Sequence, residues 1–486
     1  MSRLFKHVVF LILYGGLGVL LAGVVGYGVY LHRLPELKPW HEAPLAAEFR
    51  AADAGNFASL DDYRALELRL QQEVEAEVYR RLGPDDRRAV NRYHAGSLAD
   101  PRTRQPDWNM TFEMPVAAPR GAALLLHGLS DSPYSMRALA EEMHRRGYWV
   151  VGLRLPGHGT APSALMRVTW QDWAAAVRLA ARHLAARTPP GTPLVIAGYS
   201  TGAALGVEYA LATLQGEALP KASALVLLSP AIGVSPAAAF AVWQGRAAQI
   251  TGYAKVAWTD VLPEYDPYKY NSFTANAGDQ IHQLTRRIAG QLAALAQPGG
   301  VAGMPPVLGF QSIVDATVST DAVVDALYAK LAPGGHALVA FDLNRLAEAQ
   351  PLFAPGTLAV SRNLLEGPAL PFELTVVGNE SARSEKVVAR RRRAGAFAVD
   401  LEPTGLTWPR DVYSLAHVAL PFPPDDPLYG ATPPDRPGTL FLGRSGLYGE
   451  RGLLIVTAND LSRLRHNPFW SYVRERIDRH LASLPR

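Results

Sequence analysis

From residue 121 onward the chain alternates short apolar runs with helix-length stretches, and that alternation leaves few folds open. The runs read AALLLHG, YWVVGLRLPGHG, PLVIAGYS, ALVLLSPAIG, PPVLGFQSIVD and HALVAFDLN, with helical stretches such as 134–146, 170–187 and 202–214 between them. Strands joined through helices cross over right-handedly and lie parallel. The class is α/β, a mostly parallel central sheet flanked by helices.

Two stretches interrupt the alternation. Residues 233–303 are rich in aromatic and alanine residues, and 345–412 follow the HALVAFDLN strand; both read as insertions above the sheet. The expected organisation is a first half of the core at 119–232, a cap or lid at 233–303, and a second half at 304–486 that carries the insertion 345–412. Residues 35–118 are expected to form a linker and an amphipathic helix. In that helix Leu66, Leu70, Val74, Val78 and Leu82 recur on one face, Ser59 and Asp62 cap the start, and Gly83-Pro84 stops it. It is expected to pack on the main domain.

The first residues have another texture. From Val8 to Leu31 no residue is charged, and at about 1.5 Å per residue the run is long enough to cross a hydrocarbon core of roughly 30 Å. A secretory signal has a shorter apolar core and a cleavage site, so residues 1–34 are expected to be an uncleaved membrane anchor. Arg3 and Lys6 lie before the span; Arg33 and Lys38 after it are partly offset by Glu36 and Glu42. That bias puts the amino terminus inside and the rest outside, in the periplasm of a bacterium. Gly18, Ala22 and Gly26 form a small-residue stripe that could pair helices into a homodimer, an expectation nothing else supports.

Charge and composition narrow the partners. Lys and Arg number 48 against 44 Asp and Glu, with no basic face dense enough for a nucleic-acid footprint. The one basic run, Arg390 to Arg393, reads as a solvated loop or helix face. The absence of cysteine excludes disulfides, thiolate catalysis and lipoprotein attachment. No zinc-protease, phosphate-loop or dinucleotide motif occurs, so no cofactor and no metal are expected.

Gly198-Tyr199-Ser200-Thr201-Gly202 stands between an apolar strand and a helical stretch. Gly-x-Ser-x-Gly in that context is a sharp turn that holds a strained serine above the sheet edge, which makes Ser200 a candidate nucleophile. The developing oxyanion needs donors. The backbone N–H of Thr201 is one; the N–H of Leu129, in the loop after LLLHG, is the other.

These segments resemble a known family. GYSTG, LLLHGLSDSP, GYWVVGLRLPGHGTAPS and TWQDW are similar to the α/β-hydrolase superfamily, close to its monoacylglycerol lipase and lysophospholipase-like branch, related to serine aminopeptidases. The resemblance covers 119–232 closely and 304–343 with 413–430 more loosely. It implies a Ser–acid–His order along the chain. Asp315, just past the VLGFQSIVD strand, fits the acid; Asp321 suits the first turn of the following helix. His417, in DVYSLAHVALPFPPDD, resembles the family's histidine loop. His127 precedes the serine and is expected to shape its loop. His336 begins its strand, roughly 20 Å from the active end at about 3.3 Å per residue. His158 and His282 have the wrong order or setting, and His466 is expected to cap a helix or lie at the surface.

Taken with the anchor read from Val8–Leu31, the resemblance implies a membrane-anchored serine hydrolase that cleaves a carboxylic ester through an acyl-enzyme, with Ser200, Asp315 and His417 as catalytic residues. Phe240, Trp243, Tyr253, Trp258, Tyr265, Tyr268, Tyr270 and Phe273 suit a cap over an apolar acyl site, and with the anchor they suggest a lysophospholipid or acylglycerol. The same residues would serve a thioesterase, an amidase or peptidase, or a perhydrolase; a non-catalytic binding module is the alternative from another class.

Overall fold

The computed structural model describes residues 3–33, 35–233, 254–346, 348, 350–435, 438–443 and 462–484. Its strands are β1 (Phe112–Met114), β2 (Gly121–Leu126), β3 (Tyr148–Leu153), β4 (Leu194–Tyr199), β5 (Ala222–Leu228), β6 (Trp258–Asp260), β7 (Phe273–Thr274), β8 (Val307–Ser312), β9 (Ala337–Phe341), β10 (Glu373–Asn379), β11 (Lys386–Arg392) and β12 (Val399–Thr407). Ten of them form one sheet in the order β1-β3-β2-β4-β5-β8-β9-β10-β11-β12. From β3 to β10 every neighbour is parallel; β1, β11 and β12 pair antiparallel at the two ends. The expected mostly parallel α/β sheet is what the chain forms.

The apolar runs are strands because both faces are covered. In β2, Leu124 and Leu126 join one core while Ala123 and Leu125 join the other, the alternation that a pleated strand imposes. Helices Trp170–Arg187, Thr201–Leu214 and Ala275–Leu295 contribute to the first core. Helices Arg137–Arg145 and Trp470–Ala482 contribute to the second.

The insertions are organised differently from expectation. Helix Ala275–Leu295, read as part of a cap, packs on helix Thr201–Leu214 and serves as the crossover between β5 and β8. Residues 234–253 lie outside the described residues. The stretch 345–412 does not stand above the sheet but extends it through β10, β11 and β12. Arg390 to Arg392 of the basic run are strand, not loop or helix, while Arg393 follows it as an exposed residue. Arg391 pairs with Glu373 and Glu402 on the flanking strands, and buried Arg392 donates to the carbonyls of Ala396 and Leu364. Opposite charges on the two neighbouring strands partner the run, which reconciles strand structure with a polar sequence.

Helix Leu60–Glu77 packs Leu66, Leu70 and Val74 onto the first core, as its periodicity predicts. Ser59 accepts from the Asp62 N–H while the Asp62 carboxylate accepts from the Ser59 N–H. Ser59→Ala removes one half of this exchange, and urea unfolding should show a loss of about 1 kcal/mol with an unchanged slope.

Helix Arg3–Arg33 contains the one described segment long and apolar enough to cross a membrane, Phe10–Tyr30.

Candidate functional site

Strand β4 ends in the turn that carries Ser200. The serine has φ 52° and ψ −112°, a backbone conformation that L-residues rarely adopt. Its N–H donates to the Leu228 carbonyl on β5. The neighbouring glycines are required by contact. A Cβ on Gly202 would run into the Leu126 carbonyl, and one on Gly198 into the Gly202 backbone. Only glycine lets the helix start this close to the sheet.

Ser200 lines a cavity of about 390 Å³ together with Leu129, Thr201 and His417. Tyr199 at the end of β4 and Thr201 at the start of helix Thr201–Leu214 also line it. Thr201 is the first residue of that helix, where N–H groups have no acceptor within the helix. Leu129 is held from behind: the His158 Nε2–H donates to its carbonyl at 2.6 Å. His127 shapes the same loop, its Nδ1–H donating to the Gly128 carbonyl and its Nε2 accepting from the Leu155 N–H. Burial first, then neighbouring His158, holds the His127 pKa well below the usual histidine range, so the ring stays neutral in this role.

Asp315 follows β8 and faces His417. The His417 Nδ1–H donates to Asp315 Oδ2 at 2.8 Å, which leaves Nε2 as the basic nitrogen of the ring. Ser229 Oγ and Gln311 Nε2 donate to the same oxygen, and the N–H groups of Thr317 and Val318 donate to Oδ1. Burial pushes this carboxyl up, but the His417 charge, its hydrogen bond and the donors from Val318 and Ser229 outweigh burial and hold the pKa below the ordinary carboxylate value. A depressed folded pKa gives stability that is present above the unfolded pKa and lost as pH falls through the lowered one. Near neutrality Asp315 is therefore a charged acceptor.

The structure thus brings Ser200, Thr201, Leu129 and His417 to one cavity, with Asp315 directly behind the histidine. His336 lies at the far end of the sheet, where its Nδ1 accepts from the Val307 N–H. Asp321 sits in the first turn of helix Thr320–Ala326. His466 is buried, not at the surface. Ser229 was not singled out from sequence. It is the second non-glycine residue with positive φ, at 42°, and it supports Asp315 from the end of β5. A serine closing the apolar strand ALVLLS was the only signal.

Among the described residues, most of the aromatics expected over the acyl site pack elsewhere. Trp258, Tyr268 and Tyr270 are buried in packing: Tyr268 stacks on Tyr134 at 4.0 Å, and the Tyr270 hydroxyl accepts from the Thr160 N–H. Phe240, Trp243 and Tyr253 lie outside the described residues. Of the described aromatics in that set, Phe273 alone lines the cavity. Ala231, Ile281, Val318 and Val418 complete an apolar wall, while Lys269, Asp131 and Arg463 supply its charges, with Lys269 and Asp131 paired at 3.0 Å. Among the described residues no group of three potential metal ligands converges.

The family described as serine aminopeptidase, S33, matches residues 117–331. A thermostable monoacylglycerol lipase of Bacillus sp. (strain H-257) is 48% identical over 54 residues, 11% of this chain; the chain spans 22% of the length of that curated relative. Among solved structures, a metagenome-derived lipolytic enzyme of the LipS and LipT pair is 22% identical, over 49% of this chain and 88% of its own, with a TM-score of 0.38. The monoacylglycerol lipase of Paleococcus ferrophilus is 18% identical, over 48% of this chain and 88% of its own, with a TM-score of 0.37. The S33 match begins just before β2 and takes in the elbow and Asp315, the part of the sheet on which the cavity is built. Residues 117–331, which hold the elbow and Asp315, are thus similar to the α/β hydrolases of the family described as serine aminopeptidase, S33.

Proposed function

We propose that the chain is a membrane-anchored serine hydrolase that cleaves a carboxylic ester, with a lipid ester such as a lysophospholipid or acylglycerol as substrate. The observation that carries this reading is the 2.8 Å bond from His417 to Asp315, formed across 102 residues of chain behind the cavity that Ser200 lines. In the proposed reaction, His417 Nε2 takes the Ser200 hydroxyl proton as Oγ attacks the ester carbonyl. The Leu129 and Thr201 N–H groups receive the oxyanion. Protonated His417, steadied by Asp315, gives its proton to the departing alkoxide, and water repeats the sequence on the acyl-enzyme.

The membrane role rests on the apolar segment Phe10–Tyr30, and the charges at its two ends favour an extracytoplasmic hydrolase domain. Apolar lining and a similar monoacylglycerol lipase both support a lipid ester.

Fluorophosphonate labelling of detergent-solubilised protein tests the reading, because the probe reacts with an activated serine. Wild type should label, and His417→Ala should label about a hundredfold more slowly or worse, the contribution expected of a positioned general base. Folded wild type that does not label would move the weight to a binding module.

A further inference from the structure

The end of the apolar helix touches the wall of the cavity. The Tyr30 hydroxyl donates to the Thr259 carbonyl at 3.1 Å, and Thr259 lines the cavity with Ser200. Thr259 Oγ1 in turn donates to the carbonyl of Phe273, the aromatic residue of the same wall. Strands β6 and β7 join these residues into a small hairpin. The chain leaving the helix grips that hairpin a second time: His41 Nε2 lies 2.9 Å from Ser272 Oγ, and the His41 ring packs edge-on against Trp258. One wall of the cavity is therefore fastened to the helix terminus and to the segment that follows it.

The level of that terminus is set by the helix. Phe10–Tyr30 is 21 residues, and at about 1.5 Å per residue it matches a hydrocarbon core of roughly 30 Å. Tyr30 closes the segment, with Tyr27 stacked beside it at 6.2 Å. Tyrosines at the end of a span settle at the boundary between acyl chains and headgroups. A group one hydrogen bond from Tyr30 lies at that same boundary, where the ester bonds of a glycerolipid also lie.

Resting on the hydrolase reading above, we infer that the Tyr30–Thr259 contact holds the mouth of the Ser200 cavity at the headgroup level of the bilayer, so that the substrate is a bilayer-resident lipid ester drawn directly from the leaflet. The acyl chain then need not cross water. The helix acts as a height gauge as well as a tether.

The test uses the full chain reconstituted in phosphatidylcholine vesicles, with two substrates assayed in parallel: water-soluble p-nitrophenyl butyrate, and a long-chain pyrene-labelled monoacylglycerol dispersed in the same vesicles. A rigid helical spacer of three EAAAK repeats, inserted after Arg33, lifts the domain by about 20 Å. The butyrate rate should stay at the wild-type value while the leaflet rate falls about tenfold, as the effective concentration of presented ester drops. Equal leaflet rates with and without the spacer overturn the proposal. Wild type that hydrolyses neither substrate overturns the hydrolase reading itself, a separate outcome. If the spacer variant loses both rates, depth is read on wild type instead, from a dansyl fluorophosphonate on Ser200. Stronger quenching by headgroup nitroxide lipids than by a water-soluble nitroxide supports the proposal, and the reverse order overturns it.

Discussion

Ser200→Ala should abolish fluorophosphonate labelling and lower ester hydrolysis by about a millionfold, the scale of loss when one member of a serine-hydrolase triad is removed. The reason is that the remaining parts act only through the serine. With Oγ gone, the His417 nitrogen has no proton to take, and the N–H groups of Leu129 and Thr201 have no tetrahedral intermediate to hold. The fold should survive, because alanine keeps the Cβ that the turn already accommodates and Ser200 contributes a backbone donor to Leu228 whatever its side chain. Ser200→Gly sharpens the comparison. It loses the same activity, yet it relieves a residue held at φ 52°, so it should gain about 1 kcal/mol in urea unfolding. Labelling that persists in either variant would mean that another residue is the nucleophile.

How far the sequence could lead depends on the range over which each residue acts. The elbow was legible because its requirements are local: a strand, a helix, and two positions where a Cβ meets backbone within the same turn. Asp315 was legible because a carboxylate at the end of an apolar strand has few other reasons to be there. His417 was found through the resemblance, and the structure sets it against Asp315 although 102 residues separate them. Ser229 has no local signal because its work is defined by a neighbouring strand: its hydroxyl reaches Asp315 only once β5 and β8 lie side by side, whereas Gln311 reaches the same oxygen from β8 itself.

The misread segments share a different cause, since charge and aromaticity report composition and leave placement open. Arg390 to Arg393 looked solvated, yet Arg392 is buried by a set of backbone carbonyls that no local pattern announces. Tyr268 and Tyr270 looked like lining for an apolar site, and they spend their rings and hydroxyls on packing the loops behind it. In each case a long side chain with a polar end found partners from distant segments.

The same kind of partnership underlies the largest stability effect to be expected. Arg154, at the end of β3, is fully buried between two carboxylates: both guanidinium NH groups bond Glu48 at 3.0 Å, and Nε bonds Glu67 at 3.0 Å. Glu48 comes from the segment before helix Leu60–Glu77 and Glu67 from the helix itself, so this cluster fastens the amino-terminal extension to the hydrolase core. It also stands beside the site, because Arg154 donates to the His158 carbonyl and His158 holds Leu129. The two acids are unequal. Burial raises both, but on Glu48 the Arg154 charge, its two hydrogen bonds and the N–H groups of Gly157 and Phe49 win, leaving its pKa below the usual value. On Glu67 burial wins over Arg154 and Thr111, and its pKa is raised. Arg154→Ala leaves two buried carboxylates without a cation, a loss of about 3–5 kcal/mol when a buried ion pair is broken from one side. That is a large share of a typical net stability of about 5–15 kcal/mol. Urea unfolding in detergent should show the midpoint drop. The pH dependence has a definite sign: without Arg154, burial raises the folded pKa of both acids above their unfolded values. Groups of that kind stabilise below the unfolded pKa and lose the contribution as pH rises through the folded one. The deficit of Arg154→Ala relative to wild type should therefore be greatest at neutral pH and shrink on acidification, as Glu48 and Glu67 take up protons. A deficit that is small, or that grows as pH falls, would show that the cluster contributes by packing and not by charge.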